Sequence, residues 1–285
     1  MTEKKIKHPA FAIWNQLKKN KIAVIGLIIV SLYVFCAIFA PYISPYDPTK
    51  QNLAESFQSP NARHLLGCDD FGRDILSRII WGARISLLIQ LSSVVLALII
   101  GILLGALGGY YGGKIDEVIM RFMDILLAFP GMLLALAIVA MLGPSLRNLI
   151  IAIGVYSVPQ FARITRGAVL AVRANEYIVG AKAIGESDAA IILRYVLPNA
   201  LSPIIVQTTL RMATVLLTAS GLGFLGLGVQ PPNPEWGTML SSARMYLRAA
   251  PHVAIFPGLA IMITVLGFNF LGDGLQDALN PRLKE

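Results

Sequence analysis

Residues 22–46 carry no charge, and Lys18, Lys19 and Lys21 stand directly before them. A membrane-crossing helix needs about 20 mostly apolar residues, so the run predicts a first span over 22–44. It is too long for the apolar core of a signal peptide, lacks a small-residue cleavage site and ends in Pro41 and Pro45, so it is expected to stay uncleaved. Two more uncharged runs, 85–113 and 125–146, predict spans at about 85–107 and 125–143. The short run 148–162 follows the Gly143-Pro144 turn signal and reads as the return leg of a hairpin, at about 148–163. A fifth span, about 200–222, runs through Arg211, and a sixth covers about 252–272. The pattern predicts an all-α polytopic membrane protein with six transmembrane helices.

Composition narrows the class in the same direction. Of 285 residues, 56% are hydrophobic and 14% charged, against about 45–50% apolar and about 25% charged in an ordinary soluble domain. A soluble globule of this length could not bury so much apolar surface, and disorder requires low hydrophobicity. The net charge of +8 would suggest nucleic acid in a soluble chain; here it reflects Lys and Arg gathered in cytoplasmic loops. With the N-terminus inside, fifteen basic residues fall on inner segments, including Lys4, Lys5, Lys7, Lys114, Arg121, Arg163, Arg166, Arg173, Lys182, Arg194, Arg282 and Lys284, and eight on outer ones. The bias places the tails 1–21 and 274–285 in the cytoplasm and makes 45–84 an extracytoplasmic loop. Cys36 lies in an apolar run and Cys68 in a polar loop, so no disulfide is expected.

Few motifs carry chemistry. Gly108, Gly113 and Lys114 have the spacing of a phosphate-binding loop, but Ile115 stands where Ser or Thr must hold magnesium, and the segment leaves a membrane helix. The glycines are expected to cap and bend that helix end. His8, His64 and His252 are far apart in sequence, so neither a metal site nor a catalytic set is expected in this chain. The inner loop between spans four and five is richer. Its pattern is helical up to Gly185, which breaks it; Ser187 can cap a second helix, with Asp188 at that helix's positive end, and Pro198 leads into span five. This helix–glycine–helix element is either an amphipathic linker at the interface or a knob that docks into a cytoplasmic partner, where a glycine permits a tight turn.

The spacing from Gly185 to Leu197 and Pro198 resembles the inner-loop signature of permease subunits of binding-protein-dependent ABC importers. Two departures stand out: Val179-Gly180-Ala181 occupies the place of the usual Glu-Ala-Ala, and Tyr195 that of an Ile. Further segments resemble the dipeptide, oligopeptide and nickel branch: His64, Gly67, Asp69, Gly72, Arg73, Asp74, Ser77 and Arg78, then Gly82, Arg84 and Ser86; the glycines from Gly221 to Gly228 with Gln230, Pro234 and Trp236; and Gly272, Asp273, Asp277 and Pro281. Cys68 departs from that branch's usual Thr or Val. The chain resembles the second, C-type permease, and Arg244, Pro251 and His252 resemble the glutathione permeases.

The resemblance implies a type-1 ABC importer permease fold over 85–273, a second permease subunit, two ABC ATPase subunits that bind ATP and Mg, and an extracytoplasmic solute-binding protein. It implies a multi-pass protein of a bacterial-type inner membrane, with no cofactor or catalysis of its own. The ATPase-coupling loop would run over 176–198, with Glu176, Ala181, Lys182, Ile184, Gly185, Glu186, Ser187, Asp188 and Pro198 as its site residues. Arg211 has three readings: a side chain snorkelling from a shifted span, an ion pair with the second permease, or a pathway residue that meets a peptide's carboxylate. The outer loops 45–84 and 223–251 are either internally paired caps or docking surfaces for the binding protein, and Trp236 is expected at the membrane interface. The expected cargo is a small peptide, glutathione included; nickel, or a stand-alone carrier or channel, is the alternative.

Overall fold

The structure, a computed structural model, describes residues 14–279. Lys4, Lys5, Lys7, His8, Pro281, Arg282 and Lys284 lie outside the described residues. Among the described residues the fold is carried by α1 (Lys21–Ile43), α2 (Ile75–Tyr111), α3 (Gly113–Leu127), α4 (Gly131–Leu142), α5 (Leu146–Arg173), α6 (Glu176–Ala183), α7 (Asp188–Phe224), α8 (Trp236–Ala243) and α9 (His252–Leu279). Among the described residues the only extended pairing is one bridge between Cys68 and Asp74.

Four helices, α1, α2, α7 and α9, are long and apolar enough to cross a membrane. The third predicted span is not one helix. Its residues divide between α3 and α4, which meet at an angle of 84°. Pro130 explains the break, because its ring drives Phe129 out of the helical region and it donates no amide hydrogen. The fourth predicted span lies within α5, a 28-residue helix that contains Arg147, Arg163, Arg166 and Arg173 and buries much of its apolar surface in the bundle. Helix α2 begins ten residues before the predicted span, because Asp74 caps it by accepting the Ser77 amide at 2.7 Å.

Glycine spacing brings α2 and α5 together. Gly101, Gly105 and Gly109 recur every four residues, so they share one face of α2. A Cβ on them would overlap Phe161, the Ala162 carbonyl and Val169 of α5, respectively. Such small-residue stripes let membrane helices approach closely, where packing takes the place of a hydrophobic driving force. Gly267 and Gly274 of α9 meet Ile29 and Ala23 of α1 in the same way. Polar ties cross the bundle at one level: Tyr33 donates to Gln90 at 2.6 Å, and the Gln90 amide donates to the Met212 carbonyl at 2.9 Å.

The outer segment before α2 is bound to itself by its own charges. Asp69 pairs with Arg73 at 2.7 Å and Arg78 at 3.3 Å, and Asp74 accepts from His64 at 2.8 Å. Arg78 also donates to the Pro48 carbonyl at 2.9 Å. Cys36 and Cys68 are both free. Burial, reinforced by Asp74, Glu55 and Asp69, pushes the Cys68 thiol up to about 12, which keeps it an unreactive thiol.

Candidate functional site

The element over 176–198 forms a compact knob on the ends of α2 and α5. Asn175 precedes α6, which ends at Ala183; Gly185 then turns the chain with φ of +84°, a backbone that disfavours any residue with a Cβ. Ser187 caps α7 by accepting the Ala190 amide at 3.4 Å. Ile178 and Ala181 point inward and join Tyr110, Val169, Val172, Ile191 and Val196 in a small apolar core. The polar side chains fasten the rim. Tyr110 donates to Asp188 at 2.5 Å, the Lys182 ammonium sits 4.8 Å from the Tyr110 ring centre, and Tyr195 donates to Glu186 at 3.1 Å. Tyr195, which replaces the signature's Ile, therefore bonds across the glycine turn.

Among the side chains this knob exposes, beside the charged Glu176, Lys182, Asp188 and Arg194, are several apolar ones. Ile184 is 78% exposed, and Val179 and Leu193 are exposed with it. Among the described residues nothing lies within 4 Å of where a Cβ on Gly185 or Gly180 would sit. Glu176 opens α6, and Pro198 lies just past a π-helical turn, Ile192–Val196, that joins the knob to the long part of α7. Basic side chains gather around it: Arg166 holds Asp116 through both its Nε and Nη2, and Arg163 holds Asp124, which ties α3 to α5.

Arg211 is not part of this knob. It lies midway along α7, 4% exposed, with its guanidinium 5.3 Å from the centre of the Tyr156 ring. Its Nε and Nη2 are buried without a hydrogen-bond partner among the described residues. The snorkelling reading of Arg211 is thereby corrected, since the side chain is enclosed by protein far from either helix end.

The outer loops 45–84 and 223–251 meet around a groove of about 1010 Å³ lined by Tyr46, Asp47, Trp81, Arg84, Asn233 and Pro234 among others. Trp236 is 2% exposed, donates to the Ile79 carbonyl at 3.0 Å and stacks on Tyr33 at 5.6 Å, so it is packed inside the protein and not presented to lipid. Its neighbour Glu235 is wholly buried and caps α8 by accepting the Gly237 and Thr238 amides at 2.8 and 2.9 Å. Burial pushes that carboxyl up to about 7, against the lowering pull of the two amides. Glu235, Tyr110, Tyr156 and Gln90 escaped the sequence reading. Glu is a poor N-cap by preference, and a tyrosine or glutamine within an apolar run carries no spacing signal.

Residues 97–285 match the family model described as binding-protein-dependent transport system inner membrane component. The chain belongs to that family. Residues 11–60 also match the model of the N-terminal transmembrane domain of oligopeptide transport permease C. This permease is 52% identical over 271 residues to the dipeptide transport system permease protein DppC of Alkalihalophilus pseudofirmus, covering 95% of this chain and 89% of the relative. It is 50% identical to the di/tripeptide permease DppC of Pseudomonas aeruginosa, covering 97% and 93%. The glutathione transport system permease protein GsiD of Pectobacterium atrosepticum is 45% identical, covering 99% and 94%. In fold, the permease superposes on a chain of the inward-facing MetNI methionine ABC transporter with a TM-score of 0.59 at 19% identity, covering 72% of this chain and 98% of that one.

Family membership makes the chain a non-catalytic, membrane-embedded subunit of an ABC importer that works with ATPase and other subunits. Residues 108–114 agree with that role, because 108–111 are the last turn of α2 and Gly112 and Gly113 only redirect the chain into α3. No phosphate-cradling loop is formed there.

Proposed function

We propose that this permease forms half of the translocation pathway of an ATP-driven importer of small peptides, paired with a second permease and served by two ATPase subunits and an extracytoplasmic binding protein. The observation that carries the cargo is the pair of relatives at 52% and 45% identity, whose names specify dipeptide and glutathione, both peptides, over nearly the full chain. ATP and Mg would bind on the ATPase subunits. The protein would lie in a bacterial-type inner membrane with both termini in the cytoplasm. The gathering of Lys182, Arg166, Arg173 and Arg194 near the knob supports that orientation.

In this reading the 176–198 knob is the ATPase-coupling loop. Its exposed Ile184 and Val179, and the open space around Gly185, suit insertion into a cleft of another protein. Closure of the ATPase pair would move the knob, the bond of Asp188 to Tyr110 would keep it from sliding on α2, and that of Glu186 to Tyr195 would brace its turn. A ligand shifts such an equilibrium only through different affinity for its two states. The test is to isolate the tagged chain from its host in mild detergent. Recovery of a second permease and two ATPase chains, with hydrolysis stimulated by a peptide-loaded binding protein, is expected. A homo-oligomer without ATPase activity would return the assignment to a carrier or channel.

A further inference from the structure

The interior of the bundle holds a guanidinium with nothing to balance it among the described residues. Arg211 has no Asp or Glu within ion-pair distance among the described residues, and two of its three nitrogens are buried without a partner. A buried charge at membrane depth is costly and marks a pathway or a partner. Below the Arg211 guanidinium lies Tyr156, whose hydroxyl reaches Thr218 at 3.0 Å. Gln207, Thr214 and Thr218 share its face of α7 by helical spacing, and Thr214 is exposed on the chain's surface.

A second feature meets the same tyrosine. Helix α4 is only 12 residues long, about 18 Å, so it covers little more than half a bilayer core. Its first residue, Gly131, is in such contact with the Tyr156 ring that an added Cβ would come within 2.9 Å of it. No side chain caps that end, and the broken backbone over 128–130 is exposed. Irregular backbone at membrane depth is tolerated where it lines a watery cavity, and the N-terminus of a half-helix favours an anion.

We propose that Arg211, Tyr156 and the uncapped first turn of α4 form a station for the free C-terminal carboxylate of a peptide in transit. The guanidinium fork suits a carboxylate, and its own chain supplies none. The proposal rests on the peptide-importer reading and adds to it where in the pathway the cargo is recognised. The same chemistry could instead come from a carboxylate side chain of the second permease, and the experiment separates the two sources.

The complete transporter is reconstituted in proteoliposomes, and ATP-dependent uptake is measured for a dipeptide and its C-terminal amide, each at saturation of the binding protein. Absence of uptake by the wild type would remove the importer reading itself. With wild-type uptake present, Arg211→Gln should lower dipeptide uptake at least ten-fold, Arg211→Lys should restore part of it, and amide uptake should change less than three-fold. Equal losses for dipeptide and amide overturn the proposal, as does unchanged dipeptide uptake. Loss of the second permease from the Arg211→Gln complex, restored by Arg211→Lys, assigns the charge to a subunit ion pair and also overturns it. Should both Arg211 variants fail to assemble, Tyr156→Phe keeps the ring and decides the matter: a several-fold loss confined to the free carboxylate supports the station, and equal behaviour toward both peptides overturns it.

Discussion

Gly185 separates strain from docking in one experiment. Its φ of +84° lies in the left-handed region, where any side chain with a Cβ costs about 1–2 kcal/mol. Ala and Trp meet that cost alike. Among the described residues nothing lies within 4 Å of the added Cβ, so the larger side chain of Trp starts from open space. Detergent-solubilised Gly185→Ala and Gly185→Trp should therefore show the same small fall in Tm. Their binding of the ATPase should differ sharply. If all the strain fell on the docked conformation, Ala would weaken docking by no more than about 5- to 30-fold, since every 1.4 kcal/mol is tenfold. Trp adds an indole to the surface that already exposes Ile184, and it should abolish co-isolation of the ATPase and uptake. Equal retention of the ATPase by the two variants would refute the reasoning, because the sole physical difference between them is what a partner would meet.

Three further outcomes follow from the packing. Gly105→Leu should lower Tm through overlap with the Ala162 carbonyl, an overpacking cost of about 1–3 kcal/mol, whereas Gly167→Leu on α5, with open space around it, should not; similar Tm values would discount the α2–α5 stripe. Tyr110→Phe removes the bond to Asp188, a charge-assisted contact of about 1.5–3 kcal/mol, and should raise hydrogen exchange over 176–191 while leaving that over α9 unchanged. Glu235 should make stability depend on pH. Its carboxyl is raised from 4.5 to about 7 by burial, so its contribution is fully present below about pH 4.5 and lost as pH rises through about 7, by up to about 3 kcal/mol. The Tm of the wild type should fall relative to Glu235→Gln between pH 5 and pH 8.5, and a constant difference would exclude the assignment.

Among the described residues, uncharged run length matches the four helices long and apolar enough to cross a membrane, α1, α2, α7 and α9, and not the third and fourth predicted spans, because a run of uncharged residues carries no sign of a bend or of burial in the bundle. It also misjudged helix ends. Arg84 ended the run that predicts α2, yet it lies within the helix, as does Arg78, which is paired with Asp69 and the Pro48 carbonyl. Arg163 and Arg166 ended the fourth run, yet α5 continues past both, with Asp124 and Asp116 of α3 as their partners. Those partners are 39 and 50 residues away in sequence, so no local pattern could pair them. The helix–glycine–helix form of 176–198 was legible because Gly185 and Ser187 act through the local backbone. The bend at Pro130 was legible in principle, since proline breaks a helix wherever its amide is needed. The burial of Trp236 was not, because a tryptophan near a membrane boundary suits a lipid interface and a protein core equally.

The proposed coupling loop and the unbalanced arginine lie on one element. Helix α7 runs from Asp188, fastened to Tyr110, to Arg211, which stacks on Tyr156. Twenty-three residues of helix span about 35 Å, so a displacement of the knob reaches Arg211 as rotation or tilt of a stiff rod. That rod is interrupted at Pro203, which donates no amide hydrogen, and at the π turn Ile192–Val196, placed directly behind the knob. The location of the π turn lets the knob reorient against a partner without unwinding the part of α7 that carries Arg211. Linkage then binds the two proposals together. If a carboxylate at Arg211 stabilises one arrangement of α7 over another by some factor, ATPase docking at Gly185 must shift the affinity for that carboxylate by the same factor. In that proposal, an arginine without a counter-charge among the described residues would be a source of coupling, because its enclosure costs most with the pathway empty and would be relieved by the carboxylate to be moved.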